Sequence, residues 1–244
     1  MLATSKRTRM VAAASIFAVL YAILGLIPVS AMVDIGSFLT FAEILAPLAG
    51  MLFGPTIGGY SMVLGTFVDF ALGKPVSFDL LDFIPDVAAA VTAGLCFSGR
   101  RKAAVALPVL LIVAYTLDPL SSPIIDVAGI EIPFLWMHIL SVLILIPALV
   151  LNGREKLGRL SPFFIAATVF AATMCAHVAG SVLYENILVR VNHSLSPAAV
   201  KSAWSLIFYL YPAERVLFTV LGTFVSIPVL RSVAARQRRG TPKP

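Results

Sequence analysis

Long apolar runs broken by short polar punctuation fill the chain, and eight of them have the length of helices. The first runs from Met10 to Ile27 and stops at Pro28. The next two, 41–53 and 55–73, are separated only by Gly54-Pro55, a dipeptide that turns the chain without a charge in the turn. After a polar link over 74–83, a fourth helix continues to Phe97. A fifth is predicted over 103–117, with Pro108 inside it, and a proline-rich link over 118–133 follows. The sixth spans Phe134 to Leu151, the seventh Pro162 to Tyr184, and the eighth Ser205 to Leu230. Residues 185–204 form the longest polar segment between runs. Helix 2 is short for a crossing, which leaves a partly re-entrant pair open for helices 2 and 3.

Composition turns these helices into membrane helices. Of 244 residues, 59% are hydrophobic and 12% charged, against about 25% charged in a soluble domain. Several runs approach the roughly 20 apolar residues that cross a bilayer. The alternating ten-residue pattern of a membrane β-barrel is absent. The fold class is therefore an all-α polytopic membrane protein, read as one transmembrane domain over 1–244 with about eight crossings. The net charge of +6 does not point to nucleic acid, because the cations sit in short clusters between apolar runs. With the amino terminus inside, the clusters at Lys6–Arg9, Arg100–Lys102, Arg154–Arg159 and Arg231–Lys243 all fall on the cytoplasmic side. Only Lys74, Arg190 and Lys201 fall outside, and Arg215 lies within helix 8. Both termini are thus expected in the cytoplasm, with 1–9 and 232–244 as basic tails, and the location is the cell membrane. A signal-peptide reading of the first run, with Val29-Ser30-Ala31 as cleavage site, is weaker because the run is longer than an ordinary h-region. Cys96 and Cys175 lie inside apolar runs and read as buried small hydrophobes.

The acids show the opposite bias. Of twelve Asp and Glu residues only Glu155 falls inside. Glu43, Asp69, Asp86 and Glu214 stand at or within apolar runs, where an ionisable group normally faces a water-filled cavity or a partner. If the chain reverses at Gly54-Pro55, Glu43 and Asp69 return to one end of a hairpin. For Asp69 and Asp86, simple solvation at a helix end is an equal reading. Glu214-Arg215 follows Tyr209, Tyr211 and Pro212, a kinked aromatic rim suited to a small-molecule site. His138 and His177 sit alone on apolar helices and read first as hydrogen-bonded packing residues, with a metal ligand as the weaker reading; both are kept among the substrate-binding candidates. Trp136 and Trp204 read as interfacial belt residues. No metal cluster or cofactor is expected. No phosphate-binding loop, H-E-x-x-H, G-x-S-x-G or C-x-x-C occurs, so the chain is not read as an enzyme.

Small residues recur in helix 1 at i, i+4, i+8: Ala14, Ala18 and Ala22, extended by Gly25. Such a stripe lets helices approach closely, either within the chain or in a partner. Together with ILAPLAGMLFGPTIGGYSMVLGTFVDF at 44–70 and YPAERVLFTVLGTFVSIPVLRSV at 211–233, it resembles the substrate-binding S component of an energy-coupling factor (ECF) transporter. The resemblance implies a membrane subunit, in a prokaryotic plasma membrane, that captures a vitamin or related micronutrient from outside. It implies coupling to a transmembrane T component and cytoplasmic ATPases, and contact of Ala14, Ala18 and Ala22 with the T component. That family has six helices; helices 5 and 6 read here as an insertion, so its binding residues are not carried across. The acid-rich outer pocket leans toward a cationic or amine-bearing nutrient. Two other classes remain: a secondary transporter with Asp69, Asp86 or Glu214 as ion site, and a structural subunit of a membrane complex.

Overall fold

The computed structural model describes residues 6–33, 38–153 and 158–239; Asp34, Arg154, Glu155, Lys156 and Lys243 lie outside them. Among the described residues there are seven α-helices: α1 (Lys6–Gly25), α2 (Leu45–Ala71), α3 (Phe83–Phe97), α4 (Arg101–Leu117), α5 (Trp136–Gly153), α6 (Pro162–Glu185) and α7 (Pro197–Arg239). Two antiparallel ribbons occupy connections. β1 (Pro28–Ala31) pairs with β2 (Phe38–Thr40), and β3 (Ile124–Val127) pairs with β4 (Ile130–Pro133).

The hairpin expected at Gly54-Pro55 is present inside α2. Gly54 has φ 81° and ψ 174°, a conformation open to glycine and costly for an L side chain. Pro55 then offers no N–H to continue the ladder. A Cβ on Gly58 would lie 2.9 Å from the Ala49 carbonyl oxygen. Along one straight helix those residues would stand about 13 Å apart, so the arms 45–53 and 55–71 fold back on each other. The 3-10 turn Phe41–Ile44 and Lys74 are thereby brought to one end. α3 lies along the hairpin so closely that the bare Cα of Gly50 meets the Ala90 carbonyl, and Gly94 meets Pro55.

α6 is the central helix, packed against α2, α3, α4, α5 and α7. Its small residues, among them Ala167, Ala171, Ala172, Cys175 and Ala179, are buried around its circumference. This is how an all-round apolar helix with little volume per residue ends at the centre of a bundle.

Among the described residues four helical stretches are long and apolar enough to cross a membrane: Phe41–Ala71, Trp136–Gly153, Pro162–Val191 and Pro197–Arg236. The first enters as two arms because of the break at Gly54. Met10–Gly25 and Phe83–Phe97 are shorter apolar helices. Arg100, Arg101, Lys102, Arg159, Arg231 and Arg236 are exposed at the end opposite Glu43 and Lys74.

Two connections differ from expectation. The segment 185–204 is not a loop: α6 continues as a π-helix over Asn186–Val191, and α7 starts at Pro197. Asn186 donates to Asp118 at 2.9 Å and Arg190 pairs with it at 3.0 Å, tying the polar extension to the α4–α5 link. The start of α7 has a cap, since Ser196 Oγ accepts from the Ala199 N–H at 3.1 Å and Pro197 fills the first helical position. Within 118–133, Ala128 and Gly129 have φ 54° and 86°, the pair of left-handed residues that closes a two-residue hairpin.

Candidate functional site

A cavity of about 150 Å³ lies at the acidic end, between α1, the 3-10 turn, α3, α6 and α7. By volume it has room for on the order of ten waters. Residues of the β1–β2 ribbon, including Ala31, Phe38 and Thr40, line one side. The link after α2 forms another wall through Ser77 and Phe78, whose N–H groups donate to Asp82 at 2.8 and 3.0 Å.

Charges around this space are organised in pairs across elements. Arg215 of α7 is 3% exposed and binds Glu43 of the 3-10 turn at 2.9 Å. Its other terminal nitrogen stands 3.7 Å from Glu214, and Ser30 of β1 donates to Glu214. Arg215 Nε has no hydrogen-bond partner among the described residues. Lys74 binds Asp69 at 3.1 Å, with Asp69 fully buried. Tyr21 of α1 donates its hydroxyl to Asp86 of α3. Among the described residues four carboxylates line the cavity (Glu43, Asp82, Asp86 and Glu214) against two cations, Lys74 and Arg215. By formal charge this described lining is acidic by two, and Asp69 stands directly behind Lys74.

The α6–α7 side is aromatic. His138 Nε2 and His177 Nδ1 are 2.9 Å apart, one donating to the other. His177 stacks on Tyr211 with ring centroids 4.8 Å apart. Tyr211 is fully buried and donates to the Phe134 carbonyl at 2.8 Å. Trp204, 1% exposed, packs against Tyr115, Phe134 and Tyr184 and lines the cavity with Tyr184 and His177. Such a wall can take an apolar or aromatic body while the acids opposite take its charge.

Glu43, Asp86, His177, Glu214 and Arg215 thus share one cavity. Asp69, His138 and Tyr211 stand behind it, each in contact with a lining residue (Lys74 or His177). Three expectations are corrected. Tyr209 is 61% exposed on the outer face of α7, two residues from the buried Tyr211, because helical geometry turns it away. Trp204 is a core and cavity residue rather than a belt residue. Ala14, Ala18 and Ala22 are 5%, 0% and 0% exposed. They face α2, where Ser61 donates to the Ala14 carbonyl at 3.0 Å, so the stripe is occupied by the chain's own hairpin and is not open to a partner.

Tyr21, Ser30, Lys74 and Trp204 are site residues that the sequence reading did not single out for the pocket. Lys74, the one cation between the hairpin and α3, carried a usable signal by its position after Asp69. Tyr21 and Ser30 act over 65 and 184 residues of sequence, and no local pattern marks them.

No protein-family model matches the chain, and no solved structure matches it. It is 27% identical over 195 residues to an uncharacterized protein of Methanocaldococcus jannaschii, covering 75% of this chain and 58% of that protein. The chain is thus similar to somewhat more than half of an archaeal protein whose own activity is not named.

Proposed function

We propose that the chain is the ligand-capturing subunit of an ATP-driven importer of the ECF type, and that its ligand is a small organic cation with an apolar or aromatic body. The single observation that supports this best is the cavity at the acidic end, whose described lining sets four carboxylates against two cations and is walled by Tyr184, Trp204 and His177. The basic residues at the opposite end of the bundle support an orientation with the cavity facing outward in a prokaryotic plasma membrane. Eight crossings and two cytoplasmic termini belong to the same proposal. Energy comes from a separate T component and its ATPases, since the sequence has no phosphate-binding loop. That T component meets a surface other than the buried alanine stripe.

The test is a thermal-shift panel of amine-bearing, neutral and anionic micronutrients on the purified full chain, with tryptophan fluorescence read in parallel on a Trp136→Phe variant that leaves Trp204 as the emitter. A bound cation at a hundred times its Kd adds about 2.7 kcal/mol of stability. At about 2–4 °C per kcal/mol for a chain of this size, the shift is roughly 5–10 °C. No shift with any cation, together with failure to co-purify with an ATPase module, refutes the reading. Uptake by this chain alone in liposomes under an ion gradient would move it to the secondary transporters.

A further inference from the structure

A second concavity lies at the other end of the bundle, away from the cavity and on the outer surface of α4 and α5. It is an open groove between α4 and α5, walled by Val105, Ala106, Val109, Ile146, Leu149 and Val150. Its walls are apolar except at one end, where Arg101 and Lys102 line the mouth. Both cations are exposed. Among the described residues neither forms an ion pair. Arg101 is laid across the end of α5, its guanidinium directly over Gly153, where any side chain would displace it. The bare residue at that point leaves room for the cation over the groove's mouth.

From Arg101 to Val109 the groove runs about 12 Å along α4 at 1.5 Å per residue. That is close to one leaflet of a hydrocarbon core about 30 Å thick. A slot one leaflet deep, greasy along its length and doubly cationic at the headgroup level, has the chemistry of one kind of occupant. We infer that the α4–α5 groove holds a single anionic phospholipid, with its phosphate at Arg101 and Lys102 and an acyl chain along Val105, Val109 and Ile146. Charge complementarity separates this occupant from a zwitterionic lipid, which fills the apolar slot but gains less at its mouth. The inference rests on α5, one of the helices long and apolar enough to cross a membrane, and on α4 beside it, and is independent of the ligand proposed for the cavity.

Native mass spectrometry of the full chain, released from micelles holding equal phosphatidylglycerol and phosphatidylcholine, reads the retained lipid. One phosphatidylglycerol is expected to stay bound in preference to phosphatidylcholine. R101Q/K102Q is expected to lower its affinity roughly thirty-fold, two basic residues being removed. R231Q/R236Q removes two cations from the same end outside the groove and leaves retention unchanged. Ala106→Trp fills the slot at an exposed position and removes both lipids while sparing the charges. Equal retention of the two lipids, or equal loss in both arginine-bearing double variants, overturns the assignment.

Discussion

Arg215→Met is the substitution whose cost the geometry states most directly. It keeps an apolar stem against Phe218, whose ring lies 5.3 Å below the guanidinium, and removes the charge between Glu43 and Glu214. Taking one partner from a fully buried pair costs about 3–5 kcal/mol. Here the carboxylates keep 15% and 17% side-chain exposure toward the cavity, so solvent screening reduces the figure to about 2–3 kcal/mol. That corresponds to a fall in melting temperature of roughly 5–10 °C. Glu43→Gln alone is milder, about 1 kcal/mol, because Glu214 still accompanies the cation. In R215M/E43Q only one carboxylate is left facing the vacancy, so the double variant melts above R215M. The assay is thermal unfolding of the four proteins in one detergent at neutral pH, read as a double-mutant cycle. If R215M melts within 2 °C of the parent by that scale, or if the two substitutions simply add, the ion pair is not what joins α7 to the hairpin and the reasoning fails.

Gly50→Ala places a methyl group into the Ala90 carbonyl and is expected to cost about 2 kcal/mol or more by forcing α3 off the hairpin; an unchanged melting temperature would contradict the close approach. Lys74→Gln strands the buried Asp69 and should destabilise by about 2–4 kcal/mol, with Asp69→Asn restoring most of it in the double variant; no rescue means the pair is incidental. Tyr209→Ala, on the outer face of α7, should leave cation binding within twofold of the parent in the thermal-shift assay, within ordinary surface scatter. Loss of binding there would show that the cavity extends through α7 to a surface the present walls exclude.

The hairpin was legible because glycine and proline carry their backbone geometry in the sequence itself, and with it came the meeting of Glu43 with the end of the second arm. The position of Glu214 and Arg215 within an apolar run was also readable as a site, since burying a charge there requires a partner. What the residues do not encode locally is which partner. Small residues at Ala14, Ala18 and Ala22 announce a close helix contact, but an internal helix satisfies that signal as well as an external one. The pairing of His138 with His177 depends on the rotation of α5 and α6 about their axes, which neither helix fixes alone. The start of α7 was missed for a different reason: Ser196-Pro197 is a cap signal, but it sits outside the apolar run used to delimit the helix. Trp204 followed it into the wrong category for the same reason.

The inward turn of the alanines leaves α1 with a coarse outer surface. Ile16, Val19, Leu20 and Ile23 are 73%, 50%, 46% and 52% exposed on it. A helix from another subunit meeting that surface would stand off at about the 8–10 Å set by large side chains, gripping by interlocked branches instead of backbone touching backbone. Such a joint separates at modest cost, since lipid tails replace the lost contacts nearly as well. For the importer subunit proposed above, a coupling of that kind would let it be released from its partner at little cost.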